Sequence, residues 1–308
     1  MYNEEENVIS TIEKIAGALQ VYPEWELLII DDGSSDNTKE LAEKEAEKNS
    51  SVKVISYSPN QGRGKAPRVG FKNAAGDIIV TTDADLSYSP EHIIKMVEAL
   101  QKDSSLDIVI GSPYKKGGKV KNVPLFRLLL SKYGNKFLSF IMPGKLSTFT
   151  GILRAYRRQV VKTLELEATD KDIHLEIISK AIALGYKIEE IPAVLEARRR
   201  GKSKFKLTST VISHIFFSLF EKPAFYISIV GLLFIILGMV GGVYIIYLWL
   251  NSSLNPERPL MTLIMLFIIS GIQIIAFSII ATQLVLLRNE IYRIQRENLE
   301  IKSRLDND

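Results

Sequence analysis

The sequence predicts an α/β domain, a doubly wound mixed sheet with helices on both faces, followed by a hairpin of two transmembrane helices. Three observations predict it. Short β-branched runs alternate with amphipathic stretches three times before Pro90, the rhythm of strand–crossover–strand units. Acid-rich turns, Asp31-Asp32-Gly33-Ser34-Ser35-Asp36 and Asp83-Ala84-Asp85, follow two of those runs, and open α/β sheets bind ligands at the carboxyl ends of strands. Residues 224–250 and 260–287 are apolar stretches without an acidic or basic side chain, each longer than the ~20 residues that cross a bilayer.

Taken in order, Asn3 and Glu6 fit a capping box opening a helix to about Leu19, with Val8, Ile12, Ile15 and Leu19 on one face. Residues 25–30 read as a strand, 38–48 as a polar helix and 51–57 as a second strand. Then Asn60-Gln61-Gly62-Arg63-Gly64-Lys65-Ala66 leads into a helix to about Ala75. It lacks the spacing and the Ser/Thr of a Walker A loop, yet could still bring backbone and Lys65 to a phosphate. A buried strand over 76–80 precedes the acid turn at 83–85, and Ser89-Pro90-Glu91 starts the next helix. A strand over 106–110, a Gly- and Lys-rich mobile loop over 111–123 and an amphipathic helix over 124–143 with Arg127 and Lys132 follow. A strand over 150–156, helices to Leu164 and over 169–184, and a strand over 187–195 complete the domain.

Asp83 and Asp85 repel each other unless a cation lies between them, and hard Mg²⁺ or Mn²⁺ takes such carboxylates while leaving positions for substrate phosphates. The residues therefore point to a metal–diphosphate site. Cysteine is absent, which excludes disulfides and thiolate metal sites. The spans carry no ionisable residue to line a path, so transport is not expected.

The net charge is a modest +4, and basic residues crowd beside the spans: Lys202, Lys204, Lys206 and Lys222 before the first, Arg288, Arg293 and Arg296 after the second. The turn between them holds only Arg258. This bias predicts a multi-pass protein of the cell membrane with the catalytic domain and both termini cytoplasmic. No cleavable signal peptide is expected from the acidic, polar start. An anionic lipid or phosphate partner is expected rather than nucleic acid. The expected divisions are a domain over 1–200, a basic segment and interfacial amphipathic helix over 201–222, the two spans within 223–287 and a helical tail over 288–308. Leu287, Ile291, Ile294, Asn298, Ile301 and Leu305 alternate in fours and threes, a coiled-coil seam that would make a homo-oligomer.

Together these residues resemble the family 2 glycosyltransferases of GT-A fold, nearest to the dolichol- and polyprenyl-phosphate sugar synthases. Tyr2-Asn3-Glu4-Glu5 is similar to the family's opening motif, and Asp31 through Thr38, Asp83-Ala84-Asp85-Leu86, Gly111-Ser112 with Tyr114, Arg154 through Arg158 and Arg198 through Lys204 follow in order. The resemblance implies that Tyr2, Glu4, Asp31 and Asp32, with Asn3 beside them, hold base and ribose. It implies that Asp83 and Asp85, flanking Ala84, hold the metal on the diphosphate of a GDP- or UDP-linked sugar. Arg199 and Lys204 would meet phosphates, and Asp85, Lys132, Arg199 and Lys204 are the expected catalytic set. The family has a strand and a proline ahead of the Tyr-Asn-Glu motif where this chain begins at Met1-Tyr2: either the start is truncated or a central strand is missing, and a missing strand would expose a sheet edge and weaken the nucleotide pocket. Pro113 stands where relatives have Arg, and 146–150 lacks their acid.

The implied reaction is inverting transfer of a hexose to polyprenyl phosphate at a membrane. A phosphate nucleophile has a second pKa of ~6 and needs no general base. That fits a chain whose three histidines, His92, His174 and His214, are not beside the acid turns in sequence. Alternatives are transfer to a saccharide or glycolipid hydroxyl, with Asp170 or Asp172 as base, and an inactive oligomeric scaffold.

Overall fold

The computed structural model describes residues 1–142, 144–170, 172–197, 223–251 and 259–305. Arg199, Lys204, the basic run, the expected interfacial helix and the turn between the apolar stretches lie outside the described residues. The chain divides into two compact units, Met1–His214 with Arg293–Asp308, and Ile215–Tyr292.

The first unit opens with α1 (Val8–Leu19), β1 (Leu27–Asp31), α2 (Thr38–Lys48), β2 (Val52–Ser56), α3 (Lys65–Asn73), β3 (Ile78–Thr81), α4 (Glu91–Lys102) and β4 (Ile108–Ser112). It continues through β5 (Lys119–Lys121), α5 (Leu125–Ile141), β6 (Arg154–Arg157), α6 (Arg158–Thr163), α7 (Ile173–Ala183), β7 (Ile188–Pro192) and β8 (Val194–Glu196). The apolar stripe of α1 is buried as its spacing requires: Val8 and Ile12 meet Ile29 of β1, Ala42 of α2 and Val52 of β2. Lower on the same helix, Ile15 and Leu19 meet Ile93 of α4. Met96 and Leu100 of α4 pack with Val109 of β4 and Ala155 of β6 in a further core.

The mixed sheet is as expected, and its hydrogen bonding is interrupted between β1 and β3. β1 pairs in parallel with β2, while β3, β6, β4 and β7 form a separate sheet in that order, with β6 antiparallel to both neighbours. Strands hydrogen-bond only when about 4.8 Å apart, and β1 and β3 instead share the wall of a cavity of about 1480 Å³ that takes in Leu27–Ile30 and Ile78–Thr81. On its edge away from β2, β1 meets Met1, whose amino group donates to Ile30 O and whose carbonyl accepts Asp32 N–H at 2.8 Å. Met1 thus takes one rung of a ladder beside β1, and the cavity lies along the rest.

Three other expectations are corrected. The strand expected over 187–195 is two strands, because the chain changes partner at Pro192-Ala193: β7 runs parallel to β4 and β8 parallel to β5. The loop expected over 111–123 therefore contains a strand, which alternation over three residues is too short to reveal. The helix expected from Asn3 begins at Val8, because the Asn3 side chain is engaged by Ser35, whose N–H donates to Asn3 Oδ1 at 2.8 Å.

The second unit holds α8 (Pro223–Leu250) and the first part of α9 (Pro259–Leu305), and Pro223–Leu250 and Pro259–Asn298 are long and apolar enough to cross a membrane. Small residues bring the two helices together: a Cβ on Gly231 would lie 3.0 Å from Gly271 O, and one on Gly238 would strike Ile268. Ser228 and Ser278 hydroxyls meet at 2.5 Å. α9 is unbroken into the tail, where Arg296 donates to Leu184 O at 2.7 Å and covers the Tyr186 ring at 4.3 Å. Leu287, Ile291, Ile294 and Ile301 of the expected seam stay exposed.

Candidate functional site

The turn after β1 is fixed by its own polar side chains. Asp31 is buried and accepts from Ser56 Oγ at 2.8 Å and Ser34 N–H at 3.3 Å, so this carboxylate serves the turn. Asp32 takes Gln61 N–H at 2.8 Å and Asn60 Nδ2 at 2.9 Å, tying the turn to the segment after β2. The approach needs a glycine: Gly33 has φ +68, and a Cβ there would sit 2.7 Å from Asn60 N. Burial, then the charges of Asp32 and Asp31, push the Tyr57 phenol well above its ordinary range. The opening motif docks on the same turn, with Asn3 N–H donating to Ser34 Oγ at 2.9 Å and Glu4 N–H to Thr38 Oγ1 at 2.7 Å.

The turn after β3 is held from three sides. Thr81 Oγ1 donates to Ile152 O at 2.6 Å, Thr11 Oγ1 of α1 to Ala84 O at 2.7 Å, and Asp85 Oδ1 accepts both Ser87 N–H (3.0 Å) and Ser87 Oγ–H (2.5 Å). Pro90 caps α4 without a side-chain bond, one residue later than the expected Ser89, whose carbonyl takes His92 N–H at 3.0 Å. Tyr88 is buried, and its phenol is pushed up by burial and then by the Asp83 charge.

Tyr2, Glu4, Asp32, Asp83, Ala84 and Asp85 all line this cavity. Asp31, Asn3 and Lys65 do not. Of the two glycines expected to bring backbone to a phosphate, Gly62 lines the cavity, while Gly64 serves chain packing: a Cβ on Gly64 would lie 2.5 Å from Ala168 O, and Gly64 N–H donates to Thr169 O at 3.0 Å. Arg63, between them, lines the cavity.

The opposite wall comes from α5 and the loop before β6. Arg127, Ser131 and Asn135 of α5 line it, with Tyr114, Thr148, Thr150 and Gly151. Tyr114 Oη donates to Ser131 Oγ at 2.7 Å, and burial raises its phenol. Buried Glu190 accepts Ser147 N–H (2.9 Å), Ser147 Oγ (2.8 Å) and Thr148 N–H (2.8 Å), while Asn135 Oδ1 takes Phe149 N–H at 2.8 Å. Arg154 is wholly buried and donates to His174 O at 2.8 Å and Phe149 O at 2.6 Å, which brings Asp170 and His174 to the cavity. Burial pulls the Arg154 guanidinium below its ordinary pKa. Lys132 is on the exposed side of α5 and does not line the cavity.

At the acid turns the cavity wall carries Glu4, Asp32, Asp83 and Asp85, and among the described residues its guanidinium groups are Arg63 and Arg127. A diphosphate would be repelled there without a further cation. Asp83 and Asp85 offer the hard oxygen donors that Mg²⁺ or Mn²⁺ prefers, and no three-carboxylate cage competes among the described residues. The residues present fit such an ion shared with a ligand's phosphates. Arg63, Arg127 and His174 were named in the sequence but not among its expected site residues, because they reach the cavity across the fold.

The profile described as glycosyl transferase family 2 matches residues 1–165. The chain belongs to that family. A dolichol-phosphate mannosyltransferase of Pyrococcus furiosus is 38% identical over 67% of the chain, though the chain spans only 57% of that relative's length. A polyprenol monophosphomannose synthase of Mycolicibacterium smegmatis is 33% identical over 66% of this chain and 77% of its own. Among solved structures, glucosyl-3-phosphoglycerate synthase of Mycobacterium tuberculosis, in complex with Mn²⁺ and UDP-glucose, aligns with a TM-score of 0.53 at 20% identity, covering 71% of this chain and 76% of that one. Mannosyl-3-phosphoglycerate synthase of Rubrobacter xylanophilus aligns at 0.55 with 16% identity over 71% of each chain. The fold is GT-A.

Proposed function

We propose that the protein transfers a hexose from a GDP- or UDP-linked sugar to a polyprenyl phosphate, with inversion, at the cytoplasmic face of a membrane. The observation that carries it is the meeting of Asp32, Asp83 and Asp85, from separate turns, with Arg127 of α5 in one cavity. The relatives named as transferring mannose to dolichol or polyprenol phosphate support the acceptor class.

In this reading Tyr2, Glu4 and Asp32 hold base and ribose, and Asp83 and Asp85 would hold Mg²⁺ or Mn²⁺. The ion would neutralise charge on the departing diphosphate. Arg63 adds a fixed positive charge on the donor side. Arg127, with Ser131, receives the acceptor phosphate, whose ionised oxygen attacks the anomeric carbon as the bond to the nucleoside diphosphate breaks. The attacking oxygen carries no proton, so no base is needed. Arg199 and Lys204 are proposed as further phosphate contacts. Basic residues flanking the apolar helices support cytoplasmic termini, and the exposed tail seam supports a homo-oligomer.

The test is transfer of labelled sugar from GDP- and UDP-sugars to polyprenyl phosphate by the full chain with Mg²⁺ or Mn²⁺. A lipid-linked product that disappears in Asp85→Ala is expected. No lipid product from any donor, or a product unchanged in Asp85→Ala, overturns the proposal.

A further inference from the structure

A second cavity, of about 390 Å³, opens between α3 and α6. Its charged wall is two pairs of cations, Arg68 and Lys72 from α3 and Arg158 and Lys162 from α6. The members of each pair are four residues apart, so both stand on one face of their helix. The floor is apolar, made by Phe71, Ile79, Val161, Leu164 and Leu166. Phe71 is held edge-on to Tyr156, with ring centroids 5.3 Å apart. Phe71 and Ile79 also belong to the wall of the larger cavity, but none of the four cations does.

No acid answers these cations. α3 and α6 contain neither Asp nor Glu, and among the described residues no carboxylate lines this cavity. Nearby Asp77, Glu165 and Glu167 are outside its wall. Two of them meet the cations through backbone: Glu167 O accepts Arg68 Nη1–H at 3.2 Å, and Asp77 O accepts the Arg158 backbone N–H at 2.8 Å. None of the four makes an ion pair among the described residues. Elsewhere the chain pairs its lysines. On α2, Lys44 meets Glu40 at 2.7 Å and Lys39 meets Glu43 at 3.7 Å. Solvated lysines along a helix are ordinary, but Arg68 and Arg158 are half-buried. Gathering like charges against an apolar floor is costly, and an anion in the space relieves that cost.

We infer that this cavity is a second anion site, taking an organic diphosphate whose uncharged part rests on the apolar floor. Guanidinium forks match phosphate oxygens in pairs, and the exposed Lys72 and Lys162 add charge from the solvent side. A single phosphate carries a charge of about −2 and needs only one of the two cation pairs, whereas a diphosphate uses both. The volume is within the range of small-ligand pockets, about 300–1,000 Å³. The inference does not rest on the proposed transfer reaction, since none of these residues takes part in it.

Binding of inorganic pyrophosphate to the full chain is followed by calorimetry in EDTA at about 0.15 M NaCl, which screens loose surface charge. EDTA removes any ion from the acid turns, so the larger cavity repels the probe. One saturable site is expected. Arg68→Gln/Arg158→Gln should weaken it at least about tenfold. Lys72→Gln/Lys162→Gln alters only exposed groups and should weaken it about threefold, which keeps the test should the arginine pair prove necessary for folding. Arg63→Gln/Arg127→Gln, in the larger cavity, should leave it unchanged. No saturable binding overturns the inference, as does binding lost with Arg63 and Arg127 and kept in the other two variants. Farnesyl diphosphate and GDP then separate the sources. A gain of at least about tenfold over pyrophosphate for farnesyl diphosphate, abolished in Arg68→Gln/Arg158→Gln, assigns a lipid diphosphate, and the same gain for GDP assigns a free nucleotide. A gain for neither overturns the role given to the floor. Pyrophosphate bound here by a chain that transfers no sugar would keep this site and remove the proposed function.

Discussion

On one wall of the cavity Asp32, Asp83 and Asp85 stand just past strand ends, each turn cross-linked by hydrogen bonds from neighbouring backbone and hydroxyls. On the other, α5 and the 147–151 loop lie in a stretch of chain with no acid, and polarity comes from Arg127, Ser131 and Asn135. The first wall can hold a cation and thereby a diphosphate. The second can hold an anion directly and presents an apolar back. In the proposed reading the donor belongs to the first wall and the acceptor to the second, without either wall needing to do both tasks.

Breaking the acidic wall should have the largest effect. Asp85→Ala removes a proposed cation ligand and also frees Ser87, and transfer should fall by at least about 10²-fold in a labelled-sugar assay; Asp32→Asn, which keeps the shape, should raise KM for the nucleotide sugar more than it lowers kcat. On the acceptor wall, Glu190→Ala strands three donors of Ser147 and Thr148, and thermal unfolding should show a loss of about 3 kcal/mol. Glu190→Gln, still an acceptor, should lose less.

Arg127→Gln sharpens the comparison. Apparent KM for the lipid phosphate should rise about tenfold, the worth of one charge-assisted contact. Nucleotide binding followed by thermal shift should not move. An equal effect on donor and acceptor would mean that the walls do not divide the work.

The smallest effect concerns β8. His92 Nε2 accepts Val194 N–H at 3.1 Å, so the ring must be unprotonated there. Burial, then Lys95, holds its pKa below the ordinary value, with Glu91 opposing. The unfolded chain therefore takes up this proton first as pH falls. Stability should be full above about pH 6.5 and decline as pH drops below it. Melting temperature followed downward from neutral pH should show the slope, and His92→Gln should flatten it.

Most elements were legible because their periodicity is local. β1, β3, α2 and α4 lie within a residue or two of their expected places, and both apolar stretches are helices. The metal-binding candidates were legible because Asp83 and Asp85 are neighbours in sequence. His174 was not, since nothing near it in the chain marks it, and Arg63 lies in a loop that was read for its glycines and Lys65 instead. Asp31 looked equal to Asp32, yet one carboxylate is spent on Ser56 and Ser34 while the other reaches the cavity.

The sequence alone determined which segments are strands and helices, where acids cluster and which stretches are apolar enough for a bilayer, because those follow from side-chain period and composition. Only the tertiary structure decided that β1 and β3 flank a cavity instead of pairing, that Gly62 and Gly64 admit the 168–170 backbone, and that α5 faces the cavity on one side and solvent with its phenylalanines on the other. Those outcomes depend on which distant surfaces meet, and a helical stripe reads the same whether another element covers it or leaves it bare.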